Sequence, residues 1–317
     1  MFFIFFFQIA LIDHVSFELV GQDGEVEVGI GSGVTRDVYS SFWTEIMESL
    51  FVGVSERVPI VRHDLYVEEW EAIGKILVHG YKDSGYFPVI LSKSFVSYIL
   101  FDQNSEKDLL NSFKNYLSPD ERKLIDDVLE NDDVLDSEEF SDLLEQFKCR
   151  TLVKRENCQN VLLELARQEL IQKPHLMASC WRKSFSTLKE LPVFKTPASL
   201  EKFYEDLQPS SKKLIAMIEA NPIDESEREC LGYLKRFIRG LDTNLQKKFL
   251  RYTTGSDVLI TDNLSIMFVK QPFLGRRPIA HTCGPNLELS STYSNFGELR
   301  EEFSNILKQS TWEMDIL

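Results

Sequence analysis

Basic charge is scarce in this 317-residue chain: 35 Lys and Arg stand against 50 Asp and Glu, a formal net charge of −15. A partner held chiefly through its phosphate backbone needs clustered Lys and Arg, so nucleic acid is not an expected ligand. Cysteine is sparse too. Cys149, Cys158, Cys180, Cys230 and Cys283 are odd in number, widely spread and form no Cys-x-x-Cys pair. That argues against a disulfide framework or a structural zinc site, and for reduced thiols in the cytoplasm or nucleus. With the five His scattered as well, no metal is expected, and no cofactor. Long apolar runs are missing apart from the twelve residues Met1 to Ile12. These fall short of the ~20 that a spanning helix needs, and they lack a basic flank and a small-residue cleavage site. The run reads as a buried strand or an imperfect gene start, and no membrane is expected among the partners.

Several chemical signatures are also missing. No Gly-x-Ser-x-Gly elbow of a serine hydrolase occurs, and Gly29-Ile30-Gly31-Ser32-Gly33 matches neither the dinucleotide fingerprint nor a Walker loop. That glycine stretch reads as a tight turn between a strand and a helix.

What is present is the composition of a folded protein. At 43% hydrophobic and 27% charged residues, the chain can bury enough apolar surface to offset the entropy of ordering, and its length suits two domains or one large bilobal module. Val15, Phe17 and Leu19, then Val26, Val28 and Ile30, alternate about a Gly21–Gly24 turn signal and predict a hairpin. Val38, Phe42, Ile46 and Leu50 recur every four residues, a helix packed on a core. A second helix is predicted from about Val67 to Tyr81, where Gly74 allows close packing, and Pro88 stops it. Phe95 to Phe101 reads as another buried segment. Ser118-Pro119-Asp120-Glu121 is a capping box opening a further helix. From Asp126 to Glu145 ten acidic residues occur without a Lys or Arg, a solvated helical face in preference to a docking surface for a basic partner. Helical pattern continues over 157–172 and over 199–220 with a break at Pro209.

Near Asn221 to Ser226 a short polar stretch containing Pro222 reads as a linker. Beyond it the spacing predicts a helix at about 228–240, another ending at Tyr252, strands near Val258–Ile260 and Leu264–Val269, and a last helix capped by Asn295 and Glu298 with Leu299, Phe303, Ile306 and Leu307 inward. The expected class is α+β.

Cysteine remains as the candidate nucleophile. Cys149, Cys158, Cys180 and Cys230 read as small packed residues. Cys283 follows Arg276, Arg277, His281 and Thr282 and precedes a Gly284-Pro285 turn, a setting that can expose a thiol and favour its ionisation. On this local chemistry alone Cys283 is either a reactive thiol or a half-buried one closing a strand.

His281-Thr282-Cys283 resembles the catalytic triplet of HECT-type ubiquitin ligases. Downstream, Leu287-Glu288-Leu289, Tyr293 and Leu299 resemble the family's L-x-L-P-x-Y … L stretch, with Ser290 in place of the proline. Upstream, Phe249-Leu250-Arg251-Tyr252-Thr253-Thr254-Gly255-Ser256 is similar to its LLQFVTGS segment. Gly33-Val34-Thr35-Arg36-Asp37-Val38-Tyr39 resembles the GG-x-T-R-E-F-F opening helix, with Ile30 and Asp37 departing from it, and Gly74-Lys75-Ile76-Leu77 resembles the GRILGKAL helix. The likeness covers nearly the whole chain and is most specific in the last 70 residues.

The resemblance implies a bilobal HECT-like module: an apolar segment over 1–12, a mostly helical N-lobe over 13–220 that binds a ubiquitin-conjugating enzyme, a hinge at 221–227, and a small α/β C-lobe over 228–317. It implies a ubiquitin thioester on Cys283 and transfer to a substrate lysine, with His281 and Thr282 in support. The implied partners are the conjugating enzyme, ubiquitin and a protein substrate. The family's N-lobe begins with an additional helix where only the apolar dozen stands here, which implies a fragment or a shortened member. Met314 occupies the place of a tail phenylalanine. From the shortening comes the alternative of a catalytically impaired scaffold that binds ubiquitin or a conjugating enzyme. A cysteine hydrolase would be a third reading, but no Asn or Asp is clearly placed in the sequence to orient His281.

Overall fold

A computed structural model describes residues 19–20, 26–27, 32–271 and 273–309. Helices dominate, with three small sheets among the described residues, so the fold is α+β. No helix among them is long and apolar enough to cross a membrane. The expected apolar segment 1–12 and the tail with Trp312 and Met314 lie outside the described residues. Of the expected N-terminal hairpin, Leu19–Val20 and Val26–Glu27 pair antiparallel; the remainder is also outside them.

The chain divides into two compact units. Among the described residues the first takes in 44–79 and 88–205, and the second takes in 19–20, 26–27, 32–43, 80–87 and those from 206 onward. These bounds differ from the expected 13–220 and 228–317. The proposed hinge at 221–227 joins the strand Ile218–Glu219 to the helix Glu225–Arg239 inside the second unit. The physical reason is strand pairing: Ile218 stands beside Leu264 in a parallel ladder, which ties the chain before Asn221 to the same sheet as the chain after it.

The first unit is built from short capped helices. Ser105 accepts from Asp108 N at 3.1 Å and Ser137 from Phe140 N at 3.2 Å. The predicted capping box is complete, with Ser118 Oγ accepting from Glu121 N at 3.3 Å and Ser118 N donating to Glu121 Oε2 at 2.8 Å. Each such cap satisfies amides that the first turn leaves without partners. The acidic stretch forms the helices Pro119–Glu130 and Glu138–Gln146, with Ile125, Val128, Phe140 and Leu143 buried and every acid from Asp126 to Glu145 exposed. Helices Glu106–Tyr116 and His175–Phe185 lie within the stretch expected to be mostly helical, without having been bounded individually there. Gly74 lies in the helix Val67–Ser84 directly under Trp181, where a Cβ would come within 2.7 Å of the indole. Trp181 in turn donates Nε1–H to Trp70 O at 2.8 Å and stacks on Phe185 at 5.8 Å.

The second unit centres on a four-stranded sheet in the order Ile218–Glu219, Leu264–Val269, Asn286–Ser290, Ile279–His281. The first two pairings are parallel and the last is antiparallel. Leu264–Val269 forms at its predicted place. Val258–Ile260 does not become a strand: it finds no ladder partner, and its one cross-chain backbone bond is Leu259 N to Leu207 O at 2.9 Å. Helices Glu225–Arg239, Thr243–Thr254 and Phe296–Lys308 share the sheet's core. Phe303 lies 5.2 Å from Phe237 and 5.9 Å from Phe249, and Leu234, Leu250, Leu287, Leu289 and Leu299 are fully buried around them. Each such side chain contributes about 1.5–3 kcal/mol by leaving water, so the sheet edge that carries Cys283 rests on a firm base. As predicted, Asn295 caps the last helix, accepting from Glu298 N at 3.2 Å.

Candidate functional site

Strands Ile279–His281 and Asn286–Ser290 form a hairpin with His281 opposite Asn286, so the four residues from Thr282 to Pro285 make its turn. A turn of this length reverses the chain without giving its central residues ladder partners. Cys283 sits on it exposed, and Gly284 beside it faces open space, since a Cβ there would meet nothing within 4 Å. The neighbours fix the turn's ends: Thr282 is buried, and Pro285 O accepts from Ser265 N at 3.0 Å.

The start of the helix Ser32–Ser49 seats this turn. Ser32 Oγ donates to Cys283 O at 3.2 Å. Gly33 lies so close that a Cβ on it would stand 2.4 Å from Thr282 Oγ1 and 2.8 Å from Cys283 N, a separation that no residue but glycine permits. One turn on, the buried Arg36 donates through Nη2 to Thr282 O and through Nε to Thr254 O at 2.7 Å. The guanidinium thereby joins the hairpin to the end of the helix Thr243–Thr254.

That helix end is itself braced. Gly255 closes it in the left-handed region at φ 78°, its N–H returning to Arg251 O at 2.8 Å, and its missing Cβ makes room for Gly33 O. Ser40 Oγ donates to Gly255 O at 3.1 Å. Arg251 pairs with Asp37 at 2.8 Å and donates to Ser41 Oγ at 2.6 Å, while Tyr86 OH reaches Asp257 at 2.9 Å. Residues from the two ends of the sequence therefore build one rigid mount for the cysteine turn.

The five cysteines divide sharply. Burial pushes the Cys158, Cys180 and Cys230 thiols up from their ordinary value, which disfavours the nucleophilic thiolate. Cys149 is half-buried, its Sγ 3.8 Å from Thr151 O. Cys283 is the one exposed cysteine of the five. It lies within electrostatic reach of Arg36, whose own pKa is lowered by burial and drawn back up by Cys283. The first turn of the Ser32–Ser49 helix stands against the same turn of chain.

His281 and Thr282 flank the turn in different ways. His281 Nε2 lies 3.1 Å from Glu288 Oε1, each side chain 19% exposed, so a carboxylate on the neighbouring strand holds the imidazole. No hydrogen bond joins His281 to the Cys283 thiol among the described residues; its side-chain partner there is Glu288. Asn286, opposite it in register, keeps Oδ1 buried without a hydrogen-bond partner among the described residues. Thr282 turns inward against Gly33 and contributes its carbonyl to Arg36.

Ser32, Gly33, Arg36, Gly255 and Glu288 had no role assigned from the sequence. All but Ser32 fall within the segments whose resemblance was noted, and the signal was their position there. What the sequence does not carry is that residues 33–36 and 254–255 converge on one turn from more than two hundred positions apart. Comparison of the sequence with models of known protein families and with curated proteins returns no match.

Proposed function

We propose that this protein is a ubiquitin transferase of the HECT type, which carries ubiquitin as a thioester on Cys283. The observation that carries the reading is the exposed Cys283 on a turn whose flanking carbonyls are held by Arg36 and Ser32, in the segment His281-Thr282-Cys283 that resembles the family's catalytic triplet. Two compact units accord with a bilobal module, and the five free cysteines with a cytoplasmic or nuclear setting.

The first step is thioester exchange. The Cys283 thiolate attacks the carbonyl carbon of ubiquitin's thioester on a conjugating enzyme, a new C–S bond forms, the old one breaks, and the conjugating enzyme's sulfur leaves as a thiolate. Bond energies hardly change, so positioning and a charged sulfur matter more than a strong base, which suits a cysteine with a fixed guanidinium nearby and no histidine on its sulfur. In the second step a substrate lysine amine attacks the Cys283 thioester, its proton passes to solvent or a nearby base, and Cys283 leaves as thiolate while an amide forms.

The test is to incubate the protein with activating enzyme, a panel of conjugating enzymes, ATP and ubiquitin, and to resolve the products on a non-reducing gel. A thiol-sensitive adduct that disappears in Cys283→Ala is expected. No adduct with any conjugating enzyme, alongside retained binding to ubiquitin or a conjugating enzyme, would favour the impaired scaffold.

A further inference from the structure

Arg36 is an unusual buried charge. It is 8% exposed, yet its hydrogen-bond partners among the described residues are two main-chain carbonyls, Thr282 O and Thr254 O, and no carboxylate among them pairs with it. Its neighbour Asp37, which could have neutralised it, is engaged by Arg251 at 2.8 Å. A buried guanidinium without a counter-charge is costly to keep, and carbonyl dipoles repay only part of that cost. A methionine or leucine would fill the same volume without it.

We infer that Arg36 is the positioning residue of the Cys283 site, holding the hairpin carbonyl next to the nucleophile while keeping a permanent positive charge for the anion that forms on Cys283. The planar fork serves both ends at once: Nη2 fixes Thr282, Nε fixes the end of the helix Thr243–Thr254, and the charge stays directed at the turn between them. Ser32 adds a second anchor one residue further along, on Cys283 O. Arg36 thus acts through the placement and the charge state of Cys283 and needs no contact with a bound thioester. The same mount explains why the start of the Ser32–Ser49 helix belongs with a cysteine 251 positions away in sequence.

This role rests on the transfer reading only for its consequence in catalysis, so the experiment has arms that do not involve ubiquitin. In the full chain, wild type, Arg36→Lys, Arg36→Met, Ser32→Ala and the stability control Asp224→Ala are compared by hydrogen exchange at 282–286, by the rate of Cys283 alkylation with iodoacetamide at neutral pH, and by single-turnover ubiquitin loading. Arg36→Met is expected to speed exchange in the turn and to slow alkylation roughly tenfold. Arg36→Lys, which keeps the charge and loses the fork, should free the turn while retaining most of the alkylation rate. In loading, the maximal rate falls and the half-saturating conjugating-enzyme concentration stays put. Asp224→Ala, which removes the cap of the helix Glu225–Arg239 outside the mount, should lower stability without slowing alkylation. Should Arg36→Met not fold, Arg36→Lys and the milder Ser32→Ala decide on exchange in the turn. Unchanged exchange and alkylation in the folded Arg36 variants would overturn the inference. Failure of wild type to load ubiquitin would overturn the transfer reading instead, while the exchange and alkylation arms still decide the role of Arg36.

Discussion

Substitution of Gly33 by alanine sets two opposed effects against each other. In the first turn of a helix, Gly→Ala normally stabilises by about 0.4–1 kcal/mol because the unfolded chain loses freedom. Here the added Cβ would stand 2.4 Å from Thr282 Oγ1, 2.7 Å from Thr282 C and 2.8 Å from Cys283 N. The last two are main-chain atoms and cannot swing aside as a side-chain terminus would. Overpacking of this kind costs about 1–3 kcal/mol, so the clash outweighs the entropic gain and a net loss near 1 kcal/mol is expected. The turn must also retreat. Restoring ordinary contact at Thr282 C, from 2.7 to 3.4 Å, displaces the cysteine by about 0.7 Å. Misplacement on that scale costs on the order of tenfold to a hundredfold in a reaction that depends on alignment. Urea denaturation reads the first effect and single-turnover ubiquitin loading the second, with Gly284→Ala, which meets nothing within 4 Å, as the control that should behave as wild type. Gly33→Ala with wild-type stability and loading rate would refute the close approach of helix and hairpin on which the site is built.

Glu288→Ala removes the cross-strand partner of His281 and should lower stability by about 0.2–1 kcal/mol in urea, while leaving Cys283 alkylation within about twofold of wild type; a collapse of alkylation would instead make the His281–Glu288 pair part of the cysteine's chemistry. Asp224 is held below its ordinary 3.8, at about 2, first by Ser226 Oγ and then by Glu227 N–H and Lys270. Its folded pKa is depressed, so its contribution is present above pH 3.8 and is lost as pH falls toward 2. The acid limb of a far-UV circular dichroism titration should therefore be shallower between those values in Asp224→Asn, and superimposable curves would contradict the contacts drawn for Asp224.

Local chemistry was legible wherever the determinant was local. The Ser118 capping box, the Asn295 cap, the Leu264–Val269 strand and the Val38–Leu50 stripe all sit where spacing placed them, because caps and periodicity are settled within one or two turns. The packing role of Gly74 was legible for the same reason, although its partner Trp181 was not. What the sequence concealed was tertiary. Val258–Ile260 has the apolar look of a strand and finds no ladder, and the polar stretch at 221–227 looks like a linker while Ile218–Glu219, just ahead of it, is already paired in the sheet. At the site, the turn of Cys283 was visible from Gly284-Pro285, but Arg36 stood out only as one position of the segment that resembles the family's opening helix. Only folding brings it to the carbonyls of Thr282 and Thr254.

The central claim is that Cys283 carries an acyl group through its sulfur. The most direct measurement is intact mass of the protein after incubation with activating enzyme, conjugating enzyme, ATP and ubiquitin, before and after a thiol reductant. A mass increase of one ubiquitin, lost on reduction, absent in Cys283→Ala and retained in Cys149→Ala, is the predicted result. A reductant-resistant adduct, or one that survives in Cys283→Ala, would contradict it.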